Sequence, residues 1–233
     1  MKVSFRWTHV IMLICKLLAI CSSPPAMADL VYNPRTDVKL CGRGGRPSWL
    51  CDPFYILSRE QADELDFALG EIRSTTSCAC TLEQACNVTD SGYTISIAIL
   101  PYLPSTRQDP VTARNYADFL RKKSWMFGKC EDDVVIVVAK QDKEVYASAG
   151  PAAALKLKLL IMEDIYSDTR QYFQDKDVYT GLKVMVESFR SALQDSYSIS
   201  PDFPVWPIVQ MGLGALFVLI CFCSMYLCRK LFS

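Results

Sequence analysis

Carboxylates carry most of the chemistry this chain offers. Asp52 stands just ahead of the first expected helix, and Glu131-Asp132-Asp133 leads straight into an apolar run. Acidic side chains gathered at loop ends supply the oxygen ligands that Ca²⁺ or Mg²⁺ prefers, and an ion held there activates water. On the residues alone, a solvated turn that starts a strand is the simpler account of the 131–133 cluster. The single histidine, His9, falls in an expected leader. The mature chain then has no imidazole, which excludes Ser-His-Asp and Cys-His catalysis and histidine-ligated zinc.

The second set of reactive side chains is sulfur. Of eleven cysteines, Cys15 and Cys21 lie in the leader, and Cys221, Cys223 and Cys228 lie in a C-terminal apolar run. The remaining six are Cys41, Cys51, Cys78, Cys80, Cys86 and Cys130. An even number in an oxidising compartment reads as three disulfides, whose connectivity spacing does not fix. Asn87-Val88-Thr89 is an N-glycosylation acceptor in a polar, cysteine-rich loop.

Both chain ends point to that compartment. Lys2 and Arg6 precede an apolar stretch, and Ala26-Met27-Ala28 offers a small-x-small cleavage site, so residues 1–28 read as a signal peptide. Residues 207–228 contain no charge and Arg229-Lys230 follow. About 20 apolar residues cross a bilayer as one helix, and basic residues stay on the cytoplasmic side. The expectation is a type I single-pass protein at the plasma membrane. Its parts are an irregular arm (29–49), an extracellular domain (50–195), a Pro-rich stalk (196–207), a transmembrane helix (208–228) and a cytoplasmic tail (229–233). Of 25 basic residues, three lie in the leader and two in the tail, while all 25 acidic residues lie between, so 29–207 carries a net −5. That balance does not suit nucleic acid.

The elements that must position these residues follow from periodicity and caps. Ser58 and Gln61 form a capping box for a helix near 58–73. Tyr93–Leu100 alternates as a strand, and Asp109-Pro110 predicts a helix start running to about Lys123. The basic run Arg121-Lys122-Lys123 reads as a solvated helix end, and Arg43 and Arg46 as members of a solvated loop. Val134–Val138 predicts a strand buried on both faces, paired with an antiparallel Glu144–Ser148 through a turn at 141–143. A helical region broken once spans 150–173, and Asp177 caps a last helix to Leu193. Helices interleaved with strands predict an α/β fold, a small mixed sheet sandwiched by helices, plus the C-terminal transmembrane helix.

From about Leu50 to Leu193 the chain resembles the TPM-domain family. The resemblance rests on Cys51-Asp52 and Leu57-Ser58, the strand Tyr93-Thr-Ile-Ser-Ile-Ala98, Tyr116-Ala117, Trp125-Met-Phe-Gly128, Glu131-Asp132-Asp133, Gly150 and Gly181-Leu182, in that order. Signal peptide, cysteine-bearing domain, one membrane helix and a short tail resemble the nematode branch that modulates the levamisole-sensitive acetylcholine receptor. The resemblance implies an auxiliary subunit of a ligand-gated ion channel, at a postsynaptic membrane, without catalysis. Some TPM proteins are acid phosphatases, so the alternative it implies is a cell-surface metal-assisted phosphatase using Asp52, Asp132 and Asp133. The family's Asn-Gly is replaced here by Asp132-Asp133. Cysteines flank both acidic sites, and a Cys51–Cys130 bridge locking the two loops together is the corresponding expectation.

Overall fold

A computed structural model describes residues 32–80, 86, 92–104 and 111–199. The leader, Asn87, Asp109-Pro110 and the 208–228 run lie outside the described residues. Among the described residues no helix is long and apolar enough to cross a membrane.

Four strands form one sheet in the order β1-β2-β3-β4. They are β1 (Leu50–Cys51), β2 (Thr94–Leu100), β3 (Asp133–Ala139) and β4 (Glu144–Ala149). β1, β2 and β3 are parallel, and β4 returns antiparallel along β3. The helices are α1 (Arg59–Thr75), α2 (Ala113–Phe119), α3 (Pro151–Ala154), α4 (Leu159–Gln174) and α5 (Val178–Leu193). A π-helical turn, Leu120–Trp125, extends α2.

Strand alternation sends side chains to two cores. Ile95, Ile97 and Ile99 of β2 and Val134, Ile136 and Val138 of β3 pack with α1, α4 and α5. Ala98, Leu100, Val135 and Val137 pack on the opposite face with Tyr116, Ala117, Leu120 and Trp125. The two middle strands are buried on both sides, the condition under which a strand reads as a continuous apolar run. A small mixed sheet between helices is therefore present.

Local signals set most helix ends. Ser58 accepts from the Gln61 N–H, and the Gln61 side chain accepts from the Ser58 N–H. Asp177 caps α5 through the Thr180 N–H. The start of α2 differs from expectation: its cap is Thr112, whose hydroxyl accepts from the Asn115 N–H. The π turn also corrects the solvated reading of Arg121. This side chain is buried, while Lys122 and Lys123 are exposed.

The register defines two ends of the sheet. At the amino end of the parallel strands, Thr94 lies beside Asp133; toward the carboxyl end, Cys51 lies beside Ala98. α1 leaves the carboxyl end and returns to the amino end, where the Tyr93 N–H donates to Thr76 Oγ1 at 2.9 Å. α5 runs alongside α1, with Arg190 donating to the Ala68 carbonyl and to Glu71. The compact unit ends at Tyr197, which donates to Asp164 of α4.

Candidate functional site

Asp52 follows β1 at the carboxyl end. Its Oδ1 accepts from the Ile56 N–H at 3.0 Å and its Oδ2 from the Leu57 N–H at 2.8 Å. The side chain is buried, so both oxygens are spent on closing the 52–57 loop. Burial pushes its carboxyl above the ordinary value, against the lowering pull of the Leu57, Ile56 and Phe54 amides and of Arg43.

Asp132 and Asp133 lie at the opposite end, buried, which corrects the solvated-turn reading. Asp132 Oδ1 accepts from the Lys129 N–H at 2.8 Å. Asp133 Oδ1 lies 3.4 Å from Arg121 Nη1. Burial raises the Asp133 carboxyl, with Arg121 as the main opposing influence. Arg121 also donates through Nε to Ser148 Oγ at 3.1 Å, and Ser148 donates to Asp118. Glu131 has a left-handed backbone (φ 60°) and an exposed side chain. Its carbonyl accepts from the Ala152 N–H. Gly150 packs there, since a Cβ would sit 2.2 Å from that carbonyl oxygen.

Asp132 and Asp133 are thus neighbours, but Asp52 is not with them. Asp52 stands one residue beyond the Cys51–Ala98 level, and Asp133 is level with Thr94. Five residue steps along β2 separate them by about 16 Å at the strand rise of ~3.3 Å per residue. One ion with ligand distances of about 2.5 Å does not span that gap. Among the described residues, the group with ligand-type atoms within 4.8 Å of one another is Cys80, Cys130 and Asp132. Its two sulfurs are bonded to each other, so neither is a thiolate ligand.

The same register overturns the Cys51–Cys130 bridge. Cys51 pairs with Cys41, Cys78 with Cys86, and Cys80 with Cys130. Cys51 and Cys130 sit toward opposite ends of the sheet, far beyond the ~4.4–6.8 Å Cα separation a disulfide tolerates. All six expected cysteines are bonded.

A cationic cleft lies at the carboxyl end, in the arm read as a solvated loop. Arg43 is buried, with Nη2 2.5 Å from Asp63 Oδ1 and 3.7 Å from Asp66 Oδ2. Arg46 and Arg59 reach the same Asp63 carboxylate, at 3.4 and 4.0 Å, and both are exposed. A cleft of about 430 Å³ opens here, lined by Gly42, Arg43, Arg46, Asp52, Tyr55 and Arg59 among others. The signal in the sequence was the Asp63/Asp66 pair, three apart on α1 and so on one helix face. It became legible only once Cys41–Cys51 brought the arm against that helix.

These features define a disulfide-stapled α/β domain with helices on both faces of a mixed sheet. Residues 31–143 match the family model described as modulator of levamisole receptor-1 (MOLO1). A solution NMR structure of the N-terminal domain of a protein from P. gingivalis shares the fold. Its TM-score is 0.51 at 17% identity, over 71% of this chain and 90% of that one. The BA42 protein from Bizionia argentinensis is also similar (TM-score 0.41, 16% identity, 63% of this chain and 87% of that one). So is the N-terminal domain of cg2496 from Corynebacterium glutamicum (TM-score 0.41, 10% identity, 62% and 78%). No curated protein matches the chain.

Proposed function

We propose that this protein is a type I, single-pass auxiliary subunit that binds a ligand-gated acetylcholine receptor through its extracellular domain and modulates it. The observation that carries this reading is the MOLO1 match over residues 31–143, a family described by its modulation of levamisole receptor-1. Three disulfides fit an oxidising compartment, as do the expected leader and the uncharged 207–228 run. The proposed role is non-catalytic. A metal-assisted phosphatase would need Asp52, Asp132 and Asp133 around one ion, and the carboxylates at the two sheet ends are instead occupied by backbone N–H groups and Arg121.

The test is co-expression of the full chain with levamisole-sensitive receptor subunits, followed by purification in mild detergent and current recording. Recovery of the receptor with the tagged chain, together with a changed agonist response, is the expected result. Intact receptor pentamers that do not accompany the chain would remove the reading. Phosphate release from a generic ester, dependent on Mg²⁺ or Ca²⁺ and abolished by Asp133→Asn, would replace it with the enzyme.

A further inference from the structure

The cleft between the arm and the start of α1 is built rather than incidental. Cys41–Cys51 staples the arm to β1. Gly42 has φ +70°, and a Cβ there would fall 2.2 Å from the Asp52 carbonyl oxygen, so the arm touches the 52–57 loop directly. Asp52 in turn clamps that loop through two backbone N–H groups. A surface fixed in advance loses little entropy when a partner arrives.

The residues that line the cleft include three arginines, Arg43, Arg46 and Arg59, and one carboxylate, Asp52. Asp63, on which the arginines converge, and the exposed Glu60 stand beside it. Asp52, the acidic side chain in the cleft wall, is buried and occupied by amides. Asp66, the second carboxylate near Arg43, also accepts from the Trp49 N–H at 2.7 Å. The Nε of buried Arg43 has no hydrogen-bond partner. Arg46 and Arg59 project into solvent with 65% and 78% of their side chains exposed, keeping guanidinium donors free for planar, bidentate recognition of carboxylates. Apolar surface flanks the cations: Tyr55 is 73% exposed and Phe54 47%. Aromatic rings beside arginines are the composition of interface anchors. The cleft also lies at the end of the sheet opposite Tyr197, where the compact unit ends, and wholly inside the stretch that matches the MOLO1 family.

We infer that this cleft docks an acidic, aromatic-bearing surface segment of the partner protein, with Arg46 and Arg59 taking its carboxylates and Tyr55 packing against its ring. The inference rests on the receptor-modulator reading for the partner's identity, but not for the chemistry of the segment.

The test uses the full chain in detergent with the double variant Arg46→Glu/Arg59→Glu. The control variant Lys122→Glu/Lys123→Glu makes the same charge change at exposed lysines of the π turn. One probe is an immobilised peptide of alternating glutamate and tyrosine, with a lysine-tyrosine peptide beside it. The other is recovery of receptor subunits. Melting temperature is followed in each variant to confirm folding. The wild-type chain is expected to bind the glutamate peptide and not the lysine peptide, more weakly as salt rises. The arginine variant should lose at least tenfold in peptide affinity and a matching share of receptor recovery, with the lysine variant unchanged. Equal loss in both variants, or binding of either peptide alike, overturns the inference. Displacement of the peptide by low-millimolar inorganic phosphate also overturns it, because the cleft then takes small anions. Peptide binding lost while receptor recovery stays intact shows that the cleft is not the receptor surface, and it leaves the modulator reading standing. Selective, arginine-dependent peptide binding by a chain that recovers no receptor removes the modulator reading and supports the cleft's specificity.

Discussion

Asp52 and Asp133 both face inward, and their roles follow from what surrounds each carboxylate. Asp52 satisfies two backbone N–H groups of the 52–57 loop. Asp52→Ala strands the buried Leu57 N–H, at about 1–3 kcal/mol, and the half-buried Ile56 N–H, at the low end of that range, so a total loss of about 2–4 kcal/mol in chemical denaturation is expected. Asp52→Asn keeps a carbonyl oxygen for one of them and should lose less. A loss under about 0.5 kcal/mol for alanine would mean that water replaces the carboxylate and that the clamp is not structural. The same two residues set a pH dependence. Burial raises both carboxyls above the ordinary 3.8. A raised folded-state value means that the folded protein holds its proton more tightly. Each residue's contribution to stability is then full below pH 3.8 and is lost as the pH climbs through the folded value. NMR titration of the two carboxyl carbons should give midpoints above 3.8, and Asp52→Asn should flatten the stability profile across that window. Midpoints at or below 3.8 would mean that the amide donors and arginines outweigh burial. The sequence singled out Asp52, Glu131, Asp132 and Asp133 as candidate ligands, and three of them, Asp52, Asp132 and Asp133, are buried while Glu131 is exposed. The sequence did not show that strand register separates Asp52 from Asp133, because register is a property of pairing between distant segments.

Elements defined by neighbouring residues were readable, the β3–β4 hairpin included, and those defined by pairing between distant segments were not. The capping box at Ser58 and Gln61 and the cap at Asp177 act within one helical turn, and they mark α1 and α5 in both sequence and structure. β1 is two residues long and exists through its pairing with Ile97 and Ala98, so no local pattern announces it. The π turn is equally silent in sequence: its wider turn keeps Leu120 and Arg121 together on the buried side, where a regular solvated helix end was expected. Disulfides show the same division. Their presence followed from counting cysteines in an oxidising context, while their pairing followed from which loops share a sheet end. The three bridges close spans of 10, 8 and 50 residues. Chain-entropy estimates for such loops are about 2.7, 2.5 and 4 kcal/mol. Replacing Cys80 and Cys130 together by serine should therefore lower the denaturation midpoint more than replacing Cys78 and Cys86. The reverse order would indicate that the 80–130 link is offset by structure retained in the unfolded chain. Gly150 supplies a second element-scale test. Gly150→Ala places a Cβ against the Glu131 carbonyl, a backbone atom that cannot swing away, and should cost about 1–3 kcal/mol by overpacking.

At the scale of the whole molecule, modulation is a statement about free energies of binding to different receptor states. An auxiliary subunit shifts gating only by as much as its affinity differs between the closed and open receptor. Linkage makes this reciprocal: if the subunit raises agonist affinity by some factor, agonist raises the subunit's affinity for the receptor by the same factor. Couplings of this kind are typically about 5–150-fold, large enough to measure from either side. The proposed auxiliary subunit should therefore bind detergent-solubilised receptor more tightly at saturating agonist than without it. The ratio should equal the shift in agonist affinity measured on the same preparation with and without the subunit. A protein that only assists receptor folding or delivery predicts something different: more receptor at the surface, unchanged gating per channel, and an affinity indifferent to agonist. Agonist-independent affinity together with an unshifted agonist curve would exclude gating modulation even if the two proteins co-purify. The arginine cleft offers a way to locate the coupling. If the Arg46→Glu/Arg59→Glu variant weakens binding equally with and without agonist, the cleft holds the subunit in place and another surface senses the receptor's state. If the agonist-dependent ratio collapses toward one, the cleft itself distinguishes open from closed.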